Sequence, residues 1–282
     1  MTPTRPAAQP WTIAFEPPDL RDLELEVVDG AIAILRINRP DRMNTQTVRM
    51  FTEHNLVARA LRESHARALI ITGAGERAFC PGFDLDEIDV ITRMGVRDFL
   101  KFQETATKGI QALHSLPFPV IAAIHGAATG GGLALALACD VRIAAPTAKL
   151  SAAFVKVGLS AGELGTSWHL TRLVGPGRAA EIVYTARVVG AQEALRIGLV
   201  NRVVPTESLM EEALELARQI SSNSPGGMKI TKRALQHNEE IGSYGSAMEL
   251  ENRGQALLAQ TSDMREALAA FKQRRPARFS GE

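Results

Sequence analysis

The sequence has little of what usually reveals a protein's partners. Only two cysteines, Cys80 and Cys139, occur in 282 residues. They lie 59 positions apart inside apolar segments, without metal-ligand spacing, and read as reduced, buried thiols of a cytoplasmic protein. A charge excess is missing too. The 32 Lys and Arg residues offset 31 Asp and Glu, for a net charge of +1, so no basic field argues for nucleic acid or a membrane. No apolar run reaches the ~18 residues of a membrane span. Met1 to Pro18 lacks the charged-then-apolar pattern of a secretory leader and instead holds Pro3, Pro6, Pro10, Pro17 and Pro18. Residues 1–22 therefore read as an extended, poorly ordered arm.

At 45% apolar, the chain can bury a full core plus an appendage. Strand-like runs at 25–28, 32–37, 68–72, 120–124, 141–144 and 199–204 alternate with helical patterns at 46–62, 97–116, 131–138, 166–173 and 177–184. Such alternation predicts an α/β core of repeated ββα units over residues 23–206. From 207 to 282 the patterns are helical only, at 208–222, 227–237, 246–260 and 263–274, which predicts a separate helical lobe.

Two glycine-bearing loops follow apolar strands. Ala78-Phe79-Cys80-Pro81-Gly82-Phe83-Asp84-Leu85 follows the run 68–72, and Gly126 with Gly130-Gly131-Gly132 follows the run 119–123. Consecutive glycines at a strand-to-helix junction leave backbone N–H groups uncovered at the positive end of a helix dipole, where an anion binds readily. A phosphate loop requires Gly-Lys-Ser/Thr, and a dinucleotide site requires Gly-x-Gly-x-x-Gly after the first strand. Neither is present, since Gly132 leads into Leu133, Ala134 and Leu135. An oxyanion hole needs only two convergent N–H donors, one from each loop; the bland alternative is a pair of tight connections.

At these residues the sequence resembles the crotonase superfamily, the enoyl-CoA hydratase/isomerase family. Five ordered segments between about Leu23 and Phe279 carry the likeness: Asn38-Arg39-Pro40 to Asn44, the Phe79–Leu85 loop, the glycines 126–132 with Cys139-Asp140, Gly190-Ala191-Gln192-Glu193-Ala194 with Gly198-Leu199-Val200-Asn201, and Glu266 to Phe279. The resemblance implies a ClpP/crotonase core with a C-terminal trimerisation lobe, assembled as a trimer or a hexamer. It implies an acyl-CoA or enoyl-CoA thioester as substrate, with coenzyme A part of that substrate and no separate cofactor. The thioester oxygen, and the enolate formed there, is then held by the N–H groups of Phe83 and Gly131. Arg39, Arg42, Ala78, Phe79 and Lys272 become expected CoA contacts, the adenine lying near Ala78 and Phe79. Leu85, Ala134 and Phe154 become expected acyl-pocket residues.

The departures from the family pattern bear on the reaction. Family hydratases carry glutamates at positions matching Ala134 and Phe154, and neither alanine nor phenylalanine can activate water or protonate carbon. One acid remains nearby, Glu163 in Gly158–Thr166, similar to the proton-shuttling acid of the family's dienoyl-CoA isomerases although the loops differ by about one residue. Glu163 is thus a candidate catalytic carboxylate with a raised pKa; the competing role is a cap on the helix beginning near Thr166. Isomerase-type proton transfer is favoured. The alternatives are hydratase-like lyase, decarboxylase or thioester hydrolase chemistry, and a non-catalytic acyl-CoA binder. Of the remaining candidates, Asp84 reads as a loop brace, Asp86 and Glu87 as the opening of a helix, His125 as a core histidine, and Trp168 and His169 as packing residues.

Overall fold

The computed structural model describes residues 18–282; most of the expected N-terminal arm lies outside them. The chain runs β1 (Leu23–Val28), β2 (Ile32–Ile37), α1 (Val48–Arg62), β3 (Ala68–Gly73), β4 (Ala78–Cys80), α2 (Leu85–Thr92), α3 (Val96–His114), β5 (Val120–Ile124) and β6 (Ala127–Thr129). It continues through α4 (Gly131–Leu137), β7 (Val141–Ala144), β8 (Lys149–Ser151), α5 (Thr166–Val174), α6 (Pro176–Thr185), β9 (Val189–Gly190), α7 (Ala191–Arg196) and β10 (Arg202–Val203). Four helices complete it: α8 (Leu209–Ser221), α9 (Pro225–Asn238), α10 (Tyr244–Leu258) and α11 (Ser262–Gln273).

Six strands form one sheet in the order β1-β2-β3-β5-β7-β10, with β1 antiparallel to β2 and the other pairs parallel. Parallel strands covered on both faces need apolar side chains throughout, and β3 and β5 are buried at every residue. The period of two divides them cleanly. Ala33, Leu35, Leu69, Ile71, Val120 and Ala122 join the main core, while Ile32, Ile34, Ala68, Ile70, Ile121 and Ala123 face the other way. That second face is closed by Leu209, Ala213 and Ala217 of α8. The first of the four terminal helices is therefore a layer of the core, because the sheet's second face has to be covered.

A second sheet, β4-β6-β8-β9, is made of strands too short to stand out as apolar runs. It corrects the sequence reading, which hung both glycine loops directly on long strands and extended one strand over 199–204. The ordered strand there is only Arg202–Val203. β4 and β6 pair in parallel, Ala78 opposite Ala127 and Cys80 opposite Ala128, so both loops leave the same end of adjacent strands.

The chain is well anchored ahead of β1. The buried Glu53 carboxylate on α1 accepts N–H bonds from Arg21, Asp22 and Leu23 at 2.9–3.1 Å. Among the described residues no helix is long and apolar enough to cross a membrane.

Candidate active site

The loop after β2 fixes the geometry first. Asn44 takes a positive φ of 64°, a conformation asparagine tolerates better than most residues. Its side chain accepts from the Arg39 N–H at 3.1 Å and donates to the Ala74 and Ala78 carbonyls at 2.9 and 2.7 Å. Asn44 thereby ties the entry of α1 to the start of β4. Gln46 forms a bridge with Phe83 in which its N–H donates to the Gly82 carbonyl at 2.7 Å and its carbonyl accepts from Asp84 at 2.8 Å. The Phe83 N–H lies outside that pairing.

Gly131 opens α4, where the first-turn N–H groups have no intrahelical acceptor. The two loops approach closely, since a β-carbon added at Gly82 would lie 3.9 Å from Gly131 N. One at Gly132 would sit 1.9 Å from the Cys80 carbonyl oxygen. Only glycine lets α4 start this near the end of β4.

Phe83 and Gly131 both line a cavity of about 320 Å³. One wall is aromatic. Phe51 and Phe83 stack with centroids 6.5 Å apart, and Phe102 meets both edge-on at 5.9 and 5.8 Å. Phe154 lines the cavity beside Gly130. Leu85 lines the rim and is 72% exposed.

Glu163 is the sole ionisable side chain among the described residues lining this cavity. Burial pushes its carboxyl above the ordinary glutamate value, opposed by a hydrogen bond from Gln103. At the start of α5, capped by Gly165, the Glu163 carbonyl accepts from the Thr166 N–H at 2.8 Å. Its carboxyl lines the apolar cavity.

Several expected contacts are placed elsewhere. Ala134 is fully buried within α4, whose seven residues are all buried, and a methyl group there does not reach the cavity. Ala78 and Phe79 are also 0% exposed. The Phe79 N–H is taken by His125 O and the Ala78 carbonyl by Asn44, so neither residue offers surface to adenine. Arg39 is turned inward, donating to Asp84 at 2.8 Å and to Thr45, which makes it a loop brace. Arg42 is exposed and paired with Asp86 at 2.6 Å, and Lys272 is exposed near the end of α11.

Asp84 braces as the sequence suggests, accepting from the Asp86 N–H as N-cap of α2 and from Thr45. Glu87 accepts from the Val48 N–H at the start of α1. His125 is 7% exposed, and burial lowers its pKa against a bond with Gly75. Trp168 and His169 pack edge to face at 4.9 Å. Gln46, Gln103, Phe51, Phe99 and Phe102 line the cavity without having been singled out from sequence. The only advance signal was a polar residue two positions after Asn44; the α3 residues look like any amphipathic helix face.

A model of the enoyl-CoA hydratase/isomerase family matches residues 28–282. The chain belongs to the enoyl-CoA hydratase/isomerase family. A short-chain-enoyl-CoA hydratase of Clostridium acetobutylicum is 36% identical over 248 residues, covering 88% of this chain and 93% of the relative. A crotonyl-CoA hydratase of Syntrophomonas wolfei is 37% identical over 249 residues, covering 88% and 94%. The solved enoyl-CoA hydratase of Bacillus anthracis superposes with a TM-score of 0.88 at 34% identity, covering 93% of this chain and all of that one. The fold is thus the α/β crotonase fold of this family, as its motifs imply.

Proposed function

We propose that this protein processes acyl-CoA thioesters by moving a proton on the acyl chain, with Glu163 as the shuttle. The observation that carries the reading is the single carboxylate facing an apolar cavity that Phe83 and Gly131 also line. The two N–H groups hold the thioester oxygen as negative charge develops, each worth roughly 2.7–4 kcal/mol in the transition state. Glu163 takes a proton from one carbon to give the enolate and returns it to another, so the double bond migrates and the atoms balance. Its raised pKa suits both halves of that exchange. Arg42 and Lys272 are the cations proposed for the CoA phosphates. A trimer or hexamer is proposed as the assembly, supported by exposed apolar residues of α10 and α11, Tyr244, Leu257 and Phe271 among them.

A second reading has its own support: the two relatives above are named hydratases. In it, Glu163 alone activates water and returns the proton to carbon. Incubating an acyl-CoA and enoyl-CoA panel with the protein in D₂O, followed by mass spectrometry, separates the two. Isomerisation gives deuterium uptake without added water, abolished in Glu163→Gln. A product heavier by one water establishes hydration, release of CO₂ or free CoA establishes another enolate chemistry, and binding without turnover of any ester defeats the enzymatic reading.

A further inference from the structure

The three glycines that open α4 have no side chains to stiffen them, and Gly130 sits at φ 54°, ψ −120°, a conformation open essentially to glycine alone. The Gly131 N–H shares its peptide with the Gly130 carbonyl, which accepts from the Ala134 N–H at 2.9 Å. Two further contacts hold the peptides on either side. Gly130 N–H donates to the Ser151 carbonyl at 2.9 Å, and Gln46 Nε2 donates to the Gly131 carbonyl at 3.2 Å. The backbone of the same Gln46 grips Gly82 and Asp84 on either side of Phe83.

We propose that Gln46 is a positioning residue that sets both oxyanion donors in one frame, its main chain holding the Phe83 loop and its side chain holding Gly131. The role rests on the reading of Phe83 and Gly131 as those donors. Gln46 is itself buried and precedes Thr47, whose hydroxyl accepts from the Met50 N–H to cap α1. Its amide is oriented by elimination. Oε1 is buried without a hydrogen-bond partner and lies 2.0 Å from where a β-carbon on Gly131 would stand. Exchanging the two ends would set an oxygen against the Gly131 carbonyl oxygen, replacing a hydrogen bond with two facing acceptors. A buried acceptor without a donor is costly, and the fold tolerates it where Nε2 secures the glycine run.

The test is infrared difference spectroscopy of hexanoyl-CoA carrying ¹³C at the thioester carbonyl, bound to the full-length protein, together with steady-state kinetics on its best substrate. Wild type should lower the carbonyl frequency on binding, reporting polarisation by the two donors. Gln46→Leu keeps the main-chain grip and removes the side-chain donor. Most of that lowering should vanish, kcat should fall about 10- to 100-fold, and KM should change less than about threefold. Gln46→Met gives the same comparison should the leucine variant not fold. An unshifted carbonyl in wild type overturns the oxyanion reading itself. A shift retained in the variant, or a loss confined to KM or to Tm, overturns the role of Gln46 while leaving that reading intact.

Discussion

Gln103 on α3 and Glu163 in the loop before α5 line one cavity, so the one carboxylate there faces an amide from a distant part of the chain. Burial raises the carboxyl pKa and Gln103 partly opposes it. A carboxyl whose folded pKa exceeds its unfolded value binds its proton more tightly in the native state. Stability therefore falls as pH rises from the ordinary glutamate range through the folded value. Glu163→Gln removes that penalty. Thermal unfolding should give equal Tm values near pH 4 and a higher Tm for the variant near pH 8, alongside a kcat lowered at least about 100-fold. A variant less stable at pH 8 would mean that the charged form is favoured in the fold.

Arg39 and Asp84 form the opposite kind of site. Burial alone would raise the Asp84 carboxyl, but hydrogen bonds from Arg39, the Asp86 N–H and Thr45, with the Arg39 charge, hold it below the usual range. Its contribution is present above the unfolded carboxylate value and lost as pH falls through the lower folded value. Arg39→Ala leaves a nearly buried carboxylate without its cation and should cost about 3 kcal/mol in urea unfolding at pH 7. The cost should shrink toward zero in acid; a deficit independent of pH would assign it to packing.

Phe83 contributes to the proposed chemistry through its backbone and to the pocket through its ring. Phe83→Ala should leave kcat within about tenfold of wild type while shifting preference toward bulkier acyl groups. Gly131→Ala should behave differently, since its β-carbon would stand 2.0 Å from Gln46 Oε1 and push that side chain off the Gly131 carbonyl. Loss of kcat by about 10- to 100-fold is expected, as for Gln46→Leu. Kinetics on an acyl-CoA size series checks both, and a tolerant Gly131→Ala would contradict the role given to the Gln46 side chain.

Cys80 and Cys139 are free and buried, and burial pushes both thiols up to about 12. Nucleophilic reactivity requires the thiolate. Neither should react with iodoacetamide at pH 8 in the native protein, while both should react in 6 M guanidinium. Mass spectrometry of the alkylated chain reads the difference, and native labelling at Cys80 would show that β4 opens.

The long elements were legible because each carries its own periodicity. Strands such as 120–124 are continuous apolar runs, and helix 166–174 begins where the sequence places it. The expected Glu163 and Phe154 do reach one cavity with Phe83 and Gly131. The short strands β4, β6, β8 and β9 were not legible, since two or three residues show no period and are held by pairing with distant partners. The inward turn of Arg39 and the burial of Ala134 escaped for a related reason: a motif gives a residue's place in the chain and not the direction of its side chain.

By itself, the sequence determined the family, the glycine run that leads into α4, and the absence of carboxylates at Ala134 and Phe154, because these depend on residue identity at fixed spacings. Tertiary structure alone decided that Phe83, Gly131 and Glu163 line one cavity and that one wall of it is aromatic. Those are relations between segments far apart in the chain, set by parallel pairing of β4 with β6 and by α3 and the loop before α5 lining the same cavity, and no local pattern encodes them.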